Sequence, residues 1–201
     1  MHDTMMMNRW LTLLFAALAC VMSPLRGADE GVGYIAPELN GEVFSANGLG
    51  MIMAEREEYS RNLAATANLL LRESALADGG DLRIDGAKAR PLMPLVNRLM
   101  ALAFELAPRV KATVVINHQL KNGLVAKHYQ PEVKPRALAS LMQMRAARLL
   151  ADGGAENVLL AGCLLDLAVA LDPQNEDAIF GLELMRMDGQ APDWSKIGRA
   201  Q

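Results

Sequence analysis

The hexapeptide Gly31-Val32-Gly33-Tyr34-Ile35-Ala36 has the form G-x-G-x-x-A, which in a dinucleotide-binding fold turns a strand into a helix and opens backbone N–H groups to a pyrophosphate. That chemistry needs a strand before the glycines and a helix after them. Here no strand pattern precedes, and Pro37 follows at once, so the stretch reads as a mobile leader. Asp78, Asp81 and Asp85-Gly86 suggest a calcium loop, but Arg83 stands at an alternate ligand position and Leu92 where the closing glutamate is required. His118 and His128 have no cysteine or acidic cluster at ligand spacing, and read as a helix-surface and a loop residue. No nucleophile elbow is present, and Ser45, Ser60, Ser74, Ser140 and Ser195 suit caps or exposed helix positions. No catalytic residue, cofactor site or metal site is expected, and the chain is read as a non-enzyme.

The two cysteines lie in different contexts. Cys20 ends Ala17-Leu18-Ala19-Cys20, inside an apolar run at 10–22 that follows Arg9 and precedes Ser23-Pro24. The run is too short to cross a bilayer comfortably and has the layout of an export signal, giving a signal peptide over 1–28. The same tetrapeptide resembles a bacterial lipoprotein acceptor, which would make Cys20 a lipidation site. The other reading leaves Cys20 in the apolar core of the signal. Membrane contact is expected only with lipidation at Cys20. Cys163, among Leu160, Leu164 and Leu165, reads as a small buried apolar side chain.

Of the 201 residues, 52% are hydrophobic and only 4% aromatic, so the core must be built from Leu, Ala, Val and Met, a mixture favouring helices. Twenty basic against 23 acidic residues leave a net charge of -3, with no positive field to gather phosphates, so nucleic acid is not an expected partner. The elements follow from apolar period and punctuation. Turn formers over 29–50 give an extended leader. A first helix over 51–76 places Ile52, Tyr59, Leu63, Ala67 and Leu70 near one face and Glu55, Arg56, Glu57 and Glu58 in a solvated patch. A loop at 81–90 precedes a helix opened by Pro91 or Pro94 and ended at Pro108. Then come a helix over 109–121 with Val114, Val115, Ile116 and Leu120, a helix from Pro135 with Leu138, Leu141, Met142, Ala146 and Leu149, and a last helix over 177–187.

The pentapeptide LADGG occurs at 76–80 and again at 150–154, each time where a helix is expected to stop on glycine. Shifting 95–108 by 65 positions lays LVNRLMALAFELAP over LAGCLLDLAVALDP, with identity at Leu95/Leu160, Leu99/Leu164, Leu102/Leu167, Ala103/Ala168, Leu106/Leu171 and Pro108/Pro173. The spacing predicts two diverged copies of one helical unit, over 51–123 and 133–190, within an all-α domain spanning 51–201 of about six stacked antiparallel helices. Leu95, Leu99, Ala103, Pro108, Ala161, Leu165, Ala168 and Pro173 are its structural residues. Small Ala161 and Ala168 let helix axes approach while leucines fill the gaps.

The second copy resembles the tetratricopeptide repeats, with Ala161, Leu165, Ala168 and Pro173 on second-helix positions and Ile179 and Leu182 on first-helix positions. Glu183 and Arg186 depart from that family's glycine and tyrosine. The resemblance implies a stack of antiparallel helical hairpins presenting a concave protein- or peptide-binding surface. Met142, Met144, Met185 and Met187 could line such a groove as flexible, polarizable side chains, or fill the core. Trp194 either folds back over the end of the array or anchors a partner. The expected role is an exported scaffold of a bacterial envelope or periplasm that binds a protein or peptide. Its rivals are a lipid-anchored structural protein and an accessory domain beside a separate enzyme.

Overall fold

A computed structural model of the chain describes residues 32–38 and 44–198. The expected signal peptide, Cys20 included, lies outside the described residues. Within them the protein is all-α apart from one small hairpin. The order is α1 (Met53–Arg72), β1 (Ala75–Asp78), β2 (Asp81–Ile84), a short α2 (Gly86–Ala89), α3 (Met93–Leu106), α4 (Lys111–Lys121), α5 (Pro135–Asp152), α6 (Ala155–Leu171) and α7 (Glu176–Met187). α1 packs along α3 and α4, α5 along α6, and α6 along α7, while α3 touches α6. One apolar cluster joins all six long helices. No described helix is long and apolar enough to cross a membrane.

Proline sets three helix starts. Pro94 and Pro135 stand in the first turns of α3 and α5, where the missing N–H costs nothing, and Pro91 occupies the same place in a 3-10 turn over Arg90–Leu92 that leads into α3. The segment at 81–90, expected to be a loop, instead holds β2, α2 and that turn.

α1 corrects the sequence reading on two counts. Arg56, Ser60, Leu63, Ala67 and Leu71 recur at helical spacing and form its buried stripe, so Arg56 is only 8% exposed and donates to Asn47 Oδ1 at 3.3 Å. Ile52, one turn earlier, stands 72% exposed. Polar residues buried on α1 work as brackets. Ser60 Oγ donates to the Ala107 carbonyl at 3.1 Å and lies 2.9 Å from the Thr113 hydroxyl. Asn68 accepts from the Ala126 N–H and donates to the Ala126 carbonyl, both at 2.8 Å, and donates to the Tyr129 carbonyl at 3.0 Å. Asn62 accepts from the Glu132 N–H at 2.9 Å. The long polar connection between α4 and α5 is thus tied to α1 by main-chain bonds, each satisfying a group that burial would otherwise strand. Ser60 and Ser74 are buried, not exposed as expected.

The repeated pentapeptide does two different jobs. At 150–154, Asp152 ends α5, and Gly153 and Gly154 (φ 71° and 92°) turn the chain directly into α6. At 76–80 there is no helix to stop, because α1 has already ended at Arg72. Ala75–Asp78 is strand β1, and Gly79 and Gly80 (φ 55° and 93°) make the two-residue turn that pairs Asp78 with Asp81 and Ala75 with Ile84. Two consecutive positive φ angles are what a tight hairpin turn requires. β2 gains a second neighbour in the 123–125 segment, through Ile84 N–H to Gly123 O and Val125 N–H to Leu82 O, both 2.8 Å.

The 65-residue offset carries through the backbone. α3 ends on Ala107 (φ −156°, ψ 87°) and α6 on Asp172 (φ −140°, ψ 88°), each directly before a proline whose ring excludes the helical conformation for the residue preceding it. Each of these N–H groups still donates to an alanine carbonyl, Ala103 at 3.2 Å and Ala168 at 2.9 Å. The next helices begin at Lys111 and Glu176, again 65 apart. Leu99 and Leu164, Leu102 and Leu167, and Ala103 and Ala168 are fully buried in each case.

The expected leader is not a free strand of chain where it is described. Phe44, Leu49 and Met51 join the core, and Ala46–Gly48 forms a 3-10 turn capped by Ser45. Residues 32–38 lie across α3 and α4, bonded to Asn97 and Asn117.

Candidate interaction surface

Most residues singled out from the sequence are structural. Leu99, Ala103, Ala161, Leu165 and Ala168 are buried, Leu95 is half-buried, and Pro108 and Pro173 sit in the turns after α3 and α6. The four methionines do not form one groove. Met142 and Met185 are 0% and 4% exposed and belong to the core, whereas Met144 and Met187 point outward. Trp194 folds back: its Nε1 donates to Asp166 Oδ2 at 2.9 Å, the oxygen that also accepts from Arg98 at 2.9 Å. The Arg98 guanidinium lies 5.5 Å from the ring centroid. A tryptophan held by a carboxylate and a guanidinium fastens the C-terminal tail onto α3 and α6. It is not a free anchor.

Cys163 is buried and unpaired, and burial, then Asp166 and Asp193, push its thiol far above the ordinary range, so it stays protonated and inert. His118 and His128 are exposed, and among the described residues no group of histidines, cysteines and carboxylates could hold a metal ion.

The outward face of α7 is different. Ala178, Leu182 and Met185 bury its inner side, with Gly181 close under Leu165. On the opposite side Phe180, Leu184 and Met187, at i, i+4 and i+7, are 71%, 46% and 82% exposed, with half-exposed Ile179 beside them. α7 is therefore apolar on two faces, and among the described residues only one of them is covered. Glu176, Asp177, Glu183, Arg186 and Asp188 give the stripe a charged rim, with Arg186 paired to Glu183. At the positions 65 residues earlier, α4 carries Val115 and Gln119 and is followed by Asn122, so the stripe has no counterpart there.

Sequence reasoning passed over Phe180 and Leu184. The spacing of Phe180, Leu184 and Met187 forms a second helical stripe beside that of Ala178, Leu182 and Met185. Compared with protein-family models, with curated proteins and with solved structures, the chain finds no match.

Proposed function

We propose that this chain is a non-enzymatic helical scaffold that binds another protein through the outer face of α7. One observation carries the reading: three large apolar side chains aligned on the outer face of the final helix of the stack, ringed by charge. Such an apolar centre with a polar rim is the layout of a surface that loses water against a partner. Its width, one helical stripe, suits an amphipathic helix of the partner laid against α7. The resemblance of 155–187 to tetratricopeptide repeats supports the same role, since such arrays present interaction surfaces. The apolar run at 10–22 supports a working place outside the cytoplasm, in a bacterial envelope.

Affinity capture of the full chain from an envelope fraction, in parallel with Phe180→Asp, tests the proposal. Phe180 is exposed, so the substitution should leave folding stability within about 0.5 kcal/mol of wild type. A specific partner should be recovered with wild type and lost with the variant. With that partner purified, Phe180→Ala should raise Kd about tenfold or more, as expected for a central aromatic contact. Equal recovery with both chains, or turnover of a small molecule by the isolated protein, overturns the reading.

A further inference from the structure

Residues 32–38 cross α3 and α4 with a bend at Gly33 (φ 79°), and the bonds that hold them are mostly not specific to their side chains. Asn97 Nδ2 donates to the Gly33 carbonyl at 3.2 Å, and the Ile35 N–H donates to Asn97 Oδ1 at 3.1 Å. One side-chain amide thus bonds the carbonyl of one residue and the N–H of the second residue after it, as a neighbouring parallel strand would. Asn97 is itself buried, so its amide is held in place by these bonds. A second contact does read a side chain: the Tyr34 hydroxyl donates to Asn117 Oδ1 at 2.7 Å. Val32 and Tyr34 pack on the apolar cluster, and Val32 lies beside Gly123.

Those groups make a peptide-recognition device, with a rigid main-chain bracket on α3 and a tyrosine hydroxyl acceptor on α4. The segment filling it is only partly buried. None of its seven residues is buried, and Gly33, Ile35 and Glu38 are exposed. A stretch without one fully buried side chain opens at lower cost than the helices beneath it.

We propose that the α3–α4 face is a binding site for peptides carrying a glycine–tyrosine–aliphatic triplet bent at the glycine, and that Gly33-Tyr34-Ile35 is an internal occupant of it. The inference rests on reading the chain as a scaffold for protein and peptide partners, but uses a surface separate from the outer face of α7. A partner segment of this kind enters when the internal one lifts, bonding Asn97 through its main chain and Asn117 through its tyrosine. Because the internal segment is tethered, it competes at an effective concentration in the millimolar range, so the intact chain should bind such a peptide weakly.

The test uses the full chain and a labelled synthetic heptapeptide of sequence Val-Gly-Tyr-Ile-Ala-Pro-Glu, with binding read by fluorescence anisotropy. Tyr34→Ala removes the internal competitor's side-chain contact and should tighten peptide binding about tenfold over wild type. Adding Asn97→Ala to Tyr34→Ala should abolish the gain. Asn97→Asp, which keeps the acceptor and loses the donor, should sacrifice part of it, and circular dichroism identifies any variant that has lost its helices. The peptide with alanine in place of tyrosine should bind Tyr34→Ala no better than wild type does. No tightening in Tyr34→Ala, or tightening indifferent to Asn97→Asp, overturns the proposal. So does a concentration-dependent dimer of Tyr34→Ala in sedimentation with no peptide bound, which would mean that two copies exchange this segment instead. Phe180→Asp should leave peptide binding unchanged, so failure here and failure of the α7 surface are told apart.

Discussion

Tyr59 sits in the seam between α1 and α5, where its hydroxyl donates to the Leu141 carbonyl at 3.1 Å. Burial, then the charges of Glu55 and Glu58, push its ionisation from the ordinary 10.0 up to about 12, against a lowering by Arg145, which pairs with Glu55. In the unfolded chain the same group ionises near 10.0, so the neutral form favours the folded state. The stabilisation is fully present below pH 10.0 and is lost as pH rises toward about 12. Burial shifts Tyr34 the same way. Tm should therefore fall across that window, and Tyr59→Phe should flatten the fall; an equal slope in the variant would remove Tyr59 from the account. At this scale the sequence is least informative. Arg56 reads as part of a solvated patch and Ser60 as a cap or exposed helix position, and the groups that Ser60 and Asn68 bond lie far along the chain. Ser60 meets Thr113 across a separation of 53 residues, and Asn68 meets Ala126 across 58.

Among the elements, helices opened or closed by proline were legible to within a few residues, since proline acts on its own neighbours. β1 was not legible. Ala75-Leu76-Ala77-Asp78 has no strand-forming residue, and the same Leu-Ala-Asp ends a helix at 150–152; pairing with β2 overrides local preference in one place only. What the two copies share is the backbone demanded of their glycines. Gly80 and Gly154 hold φ of 93° and 92°, and a methyl group added at either would meet nothing within 4 Å. Alanine at either site should cost about 1–2 kcal/mol from backbone strain alone, read by chemical denaturation. Nearly equal costs in a hairpin and at a helix junction are the expected outcome, and a much larger cost at one of them would point to hidden packing. The second stripe of α7 was present in the spacing too, but two apolar faces on one helix make sense only once one of them is seen covered.

At the level of the whole molecule, the helical class follows from a leucine- and alanine-rich composition with few aromatics, and the six long helices joined by one apolar cluster agree with it. Of the pairs picked out by the 65-residue offset, Leu99/Leu164, Leu102/Leu167 and Ala103/Ala168 are buried on both sides, whereas Leu95 and Leu171 are only half-buried. The docking of 32–38 was not readable, since an asparagine on a helix gives no sign that it will bracket a distant main chain. The C-terminal tail adds a further dependence. Ile197 is buried, and Gly198 has room for little, with the Glu38 carbonyl 3.3 Å and the Ala101 methyl 3.7 Å from where its own methyl would stand. Glu38 and Gly198, on either side of the helical stack in sequence, thus meet beside Ala101 of α3. A stop introduced at Asp193 should hasten trypsin or chymotrypsin cutting near Tyr34, many residues away in sequence, and an unchanged cutting rate would show that the two are independent. Each end of the fold acts as the other's doorstop, so whatever pulls the tail loose also loosens the grip on Tyr34.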